Sequence, residues 1–248
     1  MIEDYATRTS VETVLPTVPR LDFTDPLVFS CAVIAAILAL LIALYFYRFY
    51  KLYKLTYMHG IIASFAIISF AQLMLAVNAW IGFDSEISNL LGWFKILSYS
   101  YGFSFLALSY YYKNREEEST PLLLRIGVLS VIPIMIMLAL TVFTTSASDL
   151  LPHYELEAYF RMFNLVMLGY VFKSTLSSIV EQGRKEFMYI PAAYALLWLG
   201  QYSALIYVLD GNLSNFIAYN ITKVIGLALF VGVLYQVRRM TRLAKKRA

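Results

Sequence analysis

Long apolar segments separated by short polar connections make up most of the chain. A helix needs roughly 20 consecutive apolar residues to cross the hydrocarbon core of a bilayer. Because a lipid-exposed segment must satisfy its own backbone hydrogen bonds, we expect each segment to be an α-helix. The pattern therefore predicts an all-α polytopic membrane protein, a bundle of seven transmembrane helices. The predicted spans are Pro26 to Tyr50, Tyr57 to Trp80, Leu90 to Tyr112, Pro121 to Phe143, Tyr159 to Val180, Phe187 to Leu209 and Leu213 to Val237.

The charges in the connections predict an orientation. Lys and Arg collect in the first, third and fifth connections and in the C-terminal tail, whereas the second, fourth and sixth connections carry Asp and Glu. Basic residues in short loops favour the cytoplasm, so the N-terminus is predicted outside and the C-terminus inside. We expect an extracytoplasmic tail over 1–25, a seven-transmembrane-helix domain over 26–238, and a basic cytoplasmic tail over 239–248, in a multi-pass protein of the cell membrane.

Composition excludes several classes of function. The 248 residues are 60% hydrophobic and 15% charged, which leaves no room for a second globular domain. The net charge of +4 follows from the predicted orientation beside anionic lipid, so we expect no nucleic-acid partner. A single cysteine and two histidines, His59 and His153, are too few for a metal centre. No cluster of catalytic side chains lies at membrane depth, and the chain is not expected to be an enzyme.

Ionisable residues inside the predicted spans are the most informative feature. All 16 acidic residues fall outside the seven segments, and Arg161 is close enough to a segment end to snorkel towards the headgroups. Lys223 lies near the middle of the seventh segment and Lys95 in the outer half of the third. A bare ammonium there costs about 3 kcal/mol or more. With no carboxylate in the spans, each lysine is expected to have a lowered pKa, to bond to Tyr, Ser or Asn side chains, or to hold an anion. Tyr219 and Tyr99 have helical spacing for this, at i−4 of Lys223 and i+4 of Lys95.

Seven helices with the N-terminus outside and a lysine midway along the last one resemble the microbial (type 1) rhodopsins. In that family the lysine carries retinal as a Schiff base, and Lys223 has the matching position. In the third segment, Trp93, Lys95 and Tyr99 stand where the family has an aromatic residue, a basic residue and an aromatic that packs on the polyene. The resemblance implies retinal as a candidate cofactor.

The sixth segment extends the resemblance, and three other positions depart from it. Tyr194 and Trp198 are spaced like the family's aromatic residues along retinal. Ser98, Ser109 and Tyr219 stand where a proton pump of the family has its proton acceptor, its proton donor and its second counterion carboxylate. Because all three acids are missing, we do not expect a proton pump.

The sequence thus predicts a rhodopsin-like membrane sensor or ligand-binding protein that is retinal-bound or retinal-free. Lys223 would be a covalent or ionic anchor for retinal, or for an anionic or amphipathic ligand such as a fatty acid or a lipid headgroup. Any signal would leave through a membrane or cytoplasmic partner, and a homo-oligomer is an open alternative. The predicted ligand-binding residues are Lys223, Lys95, Tyr99, Tyr194, Trp198, Tyr219, Ser98 and Trp93.

Two other classes of function remain open. A structural or regulatory subunit of a membrane complex would use the aromatic outer faces and the basic tail as contact surfaces. A small-solute carrier would line its site with amide and indole groups, for which Asn78, Asn164, Asn220 and Trp198 are available. The carrier is less favoured, because the first three segments do not repeat in the last three and paired hinge prolines are missing.

Overall fold

The protein folds into long α-helices. The computed structural model describes residues 26–81, 85–113, 128, 131, 135, 153–183 and 187–247. Within these ranges there are six helices and no strand. The helices are α1 (Pro26–Tyr53), α2 (Met58–Ile81), α3 (Ser85–Lys113), α4 (His153–Gln182), α5 (Tyr189–Asp210) and α6 (Leu213–Arg247).

Five of the described helices are long and apolar enough to cross a membrane, namely α1, α2, α4, α5 and α6. This identifies the chain as a multi-pass helical membrane protein. Helix α3 is long enough but more polar, because it carries six serines and Lys95. The tail 1–25 and the predicted fourth span, Pro121 to Phe143, lie outside the described residues, apart from Val128, Val131 and Met135, which are helical and exposed.

The described helices form a closed ring in chain order, and α6 returns to pack against α1. Small residues allow the close approach of α1 to its neighbours, since its buried face consists largely of alanines such as Ala35 and Ala39. Phe65, Tyr194 and Phe230 fill the centre with mutually packed rings. The opposite face of α1 exposes large apolar side chains, as expected of a surface in contact with lipid.

A tight turn joins α5 to α6 and fixes the relative depth of their residues. Gly211 has a left-handed backbone (φ 67°), and its N–H donates to the Tyr207 carbonyl at 2.8 Å. Gln201 and Lys223 lie nine and ten residues from the helix ends that meet at this turn. At 1.5 Å per residue, both lie about 14 to 15 Å inside the bundle.

The start of α4 corrects the sequence analysis. The fifth span was predicted to begin at Tyr159, whereas the helix begins at His153, a residue that the pattern had left in a connection. Glu157 is therefore a helical residue and is buried. The apolar pattern missed the first turns of α4 because Glu157 is charged. The charge of Glu157 is neutralised by Arg161 and by Lys95 of α3.

Candidate functional site in the bundle interior

Side chains from five helices meet in one connected group, which we call the polar core. It includes both lysines that the sequence analysis singled out. Its members are Gln72 of α2, Lys95 of α3, Glu157 and Arg161 of α4, Gln201 of α5, and Tyr219, Asn220 and Lys223 of α6.

Lys223 lies at the centre of the polar core. The residue is only 4% exposed. The Nζ atom donates to Asn220 Oδ1 at 3.1 Å and to Gln72 Oε1 at 3.3 Å, and it lies 4.5 Å from the centroid of the Tyr219 ring. Asn220 and Tyr219 share a face with Lys223 because they precede it by three and four residues. Within the described part of the chain, the ammonium has neutral oxygens as partners and no carboxylate.

Arg161 corrects a second expectation, since its guanidinium lies inside the bundle rather than snorkelling to the headgroups. Nη2 and Nε donate to Glu157 Oε1 at 2.6 and 3.2 Å. Nη1 donates to Gln201 Oε1 at 2.8 Å. Glu157 precedes Arg161 by one helical turn, so the two charges are placed together by α4 alone. Two guanidinium N–H groups thus share one carboxylate oxygen, and these charge-assisted hydrogen bonds make a tightly held ion pair.

Lys95 corrects a third expectation, that no carboxylate lies within the spans to pair with either lysine. Its Nζ is 3.6 Å from Glu157 Oε1. Glu157 thus receives two cations, one from its own helix and one from α3. The Lys95 side chain is 15% exposed, which places it at the rim of the polar core.

Tyr219 separates the two most deeply buried cations. The Arg161 Cζ atom lies 5.0 Å from the centroid of its ring, and Lys223 Nζ lies 4.5 Å from it. A phenol ring attracts cations through the negative face of its π system, so this arrangement offsets part of their mutual repulsion. Among the described side chains, the polar core combines three cationic groups with one carboxylate, and its formal charge is positive.

Three buried polar atoms in or near the polar core have no hydrogen-bond partner among the described residues. They are Gln72 Nε2, Tyr99 Oη and Asn164 Oδ1. Gln72 directs its oxygen to Lys223, which is a donor only, and the nitrogen of the same amide is a donor without a partner among the described residues. Tyr99 is within electrostatic reach of Tyr219 and Arg161. A buried polar group without a partner is costly, so each of these atoms calls for a partner such as water, an ion or a ligand.

The predicted site residues on α3 and α6 are brought together only in part. Lys223, Tyr219 and Lys95 belong to the polar core, and Tyr99 lies beside it. Ser98 is buried on α3.

Aromatic residues predicted to line the same pocket are distributed over other parts of the bundle. Trp93 packs edge-to-face on Phe160, with centroids 6.3 Å apart. The Tyr194 hydroxyl bonds to the Tyr110 hydroxyl at 3.1 Å, and the Tyr194 ring packs edge-to-face on Phe230 with centroids 5.0 Å apart. The Trp198 indole N–H donates to the Leu165 carbonyl at 3.0 Å, and its ring stacks on Tyr202. The hydrogen bonds and ring contacts of Tyr194 and Trp198 are thus made with residues other than Lys223.

Sequence reasoning missed half of the polar core. Gln72 and Gln201 were not considered, although an isolated amide inside an apolar span is itself a signal. Glu157 and Arg161 were assigned to a connection and to a helix end, although their i, i+4 spacing predicts an ion pair if the helix extends. Asn220 entered only as a residue of the alternative carrier.

Neither metal chemistry nor similarity to known proteins adds to this picture. In the ranges that the structure describes, no group of three or more His, Cys, Asp or Glu side chains is placed to hold a metal ion. Comparison with protein-family models, with curated proteins and with solved structures finds no match.

Proposed function

We propose that the protein is a seven-helix ligand-binding protein or sensor of the cell membrane, with rhodopsin-like topology, in which Lys223 anchors the ligand. The observation that carries this proposal is the environment of Lys223, an ammonium buried about 15 Å inside the bundle and held by two neutral amide oxygens. An ionisable group at this depth is expensive, and it is retained where it serves a ligand or ion site.

The direction of the helices supports seven spans. Lys95 lies near the start of α3 and contacts Glu157, near the start of α4, so the two helices run parallel. Because α3 ends and α4 begins at opposite ends of the bundle, we infer one further span between residues 113 and 153. The predicted span Pro121 to Phe143 has the length for this crossing, and the helical, exposed residues Val128, Val131 and Met135 agree with a helix facing lipid.

Cysteine accessibility tests the topology in intact cells. In a Cys31→Ser background, we expect a membrane-impermeant thiol reagent to label Ser214→Cys but neither Thr56→Cys nor Gln182→Cys, since the latter two face the cytoplasm in the proposed orientation. All three positions are exposed. Labelling of Gln182→Cys together with Ser214→Cys would contradict the orientation and the alternation of the helices.

We propose the retinal-free form, because two features of the described residues argue against a Schiff base on Lys223. A protonated Schiff base on Lys223 would need a negative partner, but Glu157 is already held by Arg161 and Lys95. Tyr194 and Trp198, the residues that the resemblance places along the polyene, make their contacts elsewhere. The chain therefore contributes an ionic anchor with amide and phenol groups around it.

An absorption spectrum with and without added all-trans-retinal distinguishes a covalent Schiff base on Lys223 from an ionic anchor. We expect no red-shifted band in the purified protein. A band that hydroxylamine bleaches and that Lys223→Ala lacks would show a retinal protein and overturn the retinal-free form.

Extraction of the purified protein, followed by mass spectrometry, tests the anchor itself. A bound small molecule is expected in the wild type and in Lys173→Ala, an exposed lysine of α4, but not in Lys223→Ala. Equal recovery from all three proteins, with unchanged stability of Lys223→Ala, would favour the structural or regulatory subunit. Loss of solute uptake in Lys223→Ala would favour a carrier instead.

A further inference from the structure

The charges of the polar core do not balance inside the bundle. Arg161 and Glu157 form a closed pair, and Lys95, at the rim, faces the same carboxylate. Lys223 is left with one positive charge whose partners are neutral. Amide dipoles and the Tyr219 ring reduce the cost of that charge but do not cancel it. A single negative charge beside Nζ would neutralise Lys223, and the polar core would keep one positive charge, that of Lys95 at its rim.

The donors beside Lys223 specify the shape of that anion. Two N–H groups of the ammonium are directed to Gln72 and Asn220, and the Tyr219 ring lies against a further side of it. Gln72 is 0% exposed, and its Nε2 has no partner among the described residues. The two donors are neighbours, because the oxygen of the same Gln72 amide lies 3.3 Å from Nζ. A group with two acceptor oxygens on one carbon can receive both.

We infer that the polar core binds a monocarboxylate, with one oxygen at Lys223 Nζ and the other at Gln72 Nε2; this rests on the proposed function and names its class of ligand. The same carboxylate chemistry is offered by a small free acid from solution and by a fatty acid from the bilayer.

Thermal unfolding of the purified full chain in an uncharged detergent near pH 7 tests the inference. The midpoint is measured against acetate and against decanoate below its micellar range, at constant ionic strength. Sodium chloride and methyl decanoate are the matched controls for charge and for the hydrocarbon chain. We expect a saturable rise with a carboxylate and with neither control. A stronger effect of decanoate identifies a bilayer acid as the source, and an equal effect identifies a small acid.

Three variants locate the site. Lys223→Met removes a charged hydrogen bond and should raise the half-saturating carboxylate concentration by about 10- to 100-fold. Gln72→Leu should raise it by about 5- to 10-fold. Lys173→Met, which removes an exposed lysine of α4, should behave as the wild type. If Lys223→Met does not fold, the wild-type titration and Gln72→Leu carry the test.

Three outcomes would overturn the inference: no shift with either carboxylate, an equal shift with chloride, or loss of the shift in Lys173→Met. Failure of the inference is distinct from failure of the proposed function. If a co-purified molecule depends on Lys223 and is not a carboxylate, the anchor remains and the assigned ligand class is wrong. If no molecule depends on Lys223, the proposed function itself fails.

Discussion

Replacing Glu157 by Gln should destabilise the bundle strongly, because this carboxylate is the counter-charge of two cations. Its Oε1 atom receives Arg161 Nη2 at 2.6 Å and Nε at 3.2 Å, and it lies 3.6 Å from Lys95 Nζ. The Arg161 and Glu157 side chains are only 6% and 10% exposed, so water cannot replace the lost charge at either group.

The magnitude follows from these distances. Two unit charges roughly 4 Å apart attract by about 4 kcal/mol at an effective dielectric constant of about 20. Removal of one partner from a buried pair costs about 3 to 5 kcal/mol in measured cases. The amide of Gln retains a hydrogen bond worth about 1 kcal/mol, and Lys95 at the rim is partly solvated. We therefore expect Glu157→Gln to lower the free energy of unfolding by about 3 kcal/mol.

Equilibrium unfolding in mixed micelles measures this change, and Glu181→Gln is the matched control. Glu181 lies on the same helix and is exposed, so its substitution should change stability by no more than about 0.5 kcal/mol. The double variant Glu157→Gln with Arg161→Gln should lose less than the sum of the single variants, by about 1 kcal/mol or more, since the two residues are in contact. A loss below about 1 kcal/mol for Glu157→Gln, or strict additivity, would refute the ion pair.

Two further predictions concern packing and hydrogen bonding at the other end of the bundle, and both are measured by the same unfolding assay. A Cβ at Gly60 would overlap Ser109 Oγ, which donates to the Phe105 carbonyl at 2.6 Å. Gly60→Ala should therefore lower the free energy of unfolding by about 1 to 3 kcal/mol. If adding Ser109→Ala to this variant restored none of the lost stability, the contact would be contradicted. Tyr110→Phe or Tyr194→Phe alone should lower the free energy of unfolding by about 1 to 2 kcal/mol, because the partner hydroxyl is left buried without a hydrogen bond. The stability of the double variant should be closer to that of the wild type. Equal, additive losses would show that the two hydroxyls do not bond.

Hydropathy was sufficient to locate the described helices, because a membrane span is a local property of about 20 residues. The first, second and sixth predicted spans agree with α1, α2 and α5 to within three residues at each end, whereas α3 begins five residues before Leu90 and α6 continues ten residues beyond Val237. The start of α4 was missed because Glu157 reads as a polar connection unless Arg161 and Lys95 are known to neutralise it. The hydropathy of a segment contains no information about a partner on another helix.

The same distinction explains what was predicted of the site. The position of Lys223 and its neighbour Tyr219 follows from spacing along one helix. Its contact with Gln72 joins residues 151 positions apart, and no local pattern reports it. The aromatic side chains Tyr194 and Trp198 were assigned to the lysine by resemblance, and their partners in the bundle are different ones. Spacing along one helix therefore located the anchor, and tertiary contacts determined what surrounds it.

Native mass spectrometry of the protein released from lipid nanodiscs tests the central claim, that Lys223 anchors a ligand in the polar core, most directly. The account predicts a small-molecule adduct on the wild type and on Lys173→Met, and loss of that adduct from Lys223→Met at equal folded yield. An adduct that persists on Lys223→Met, or its absence from all three proteins, would contradict the account.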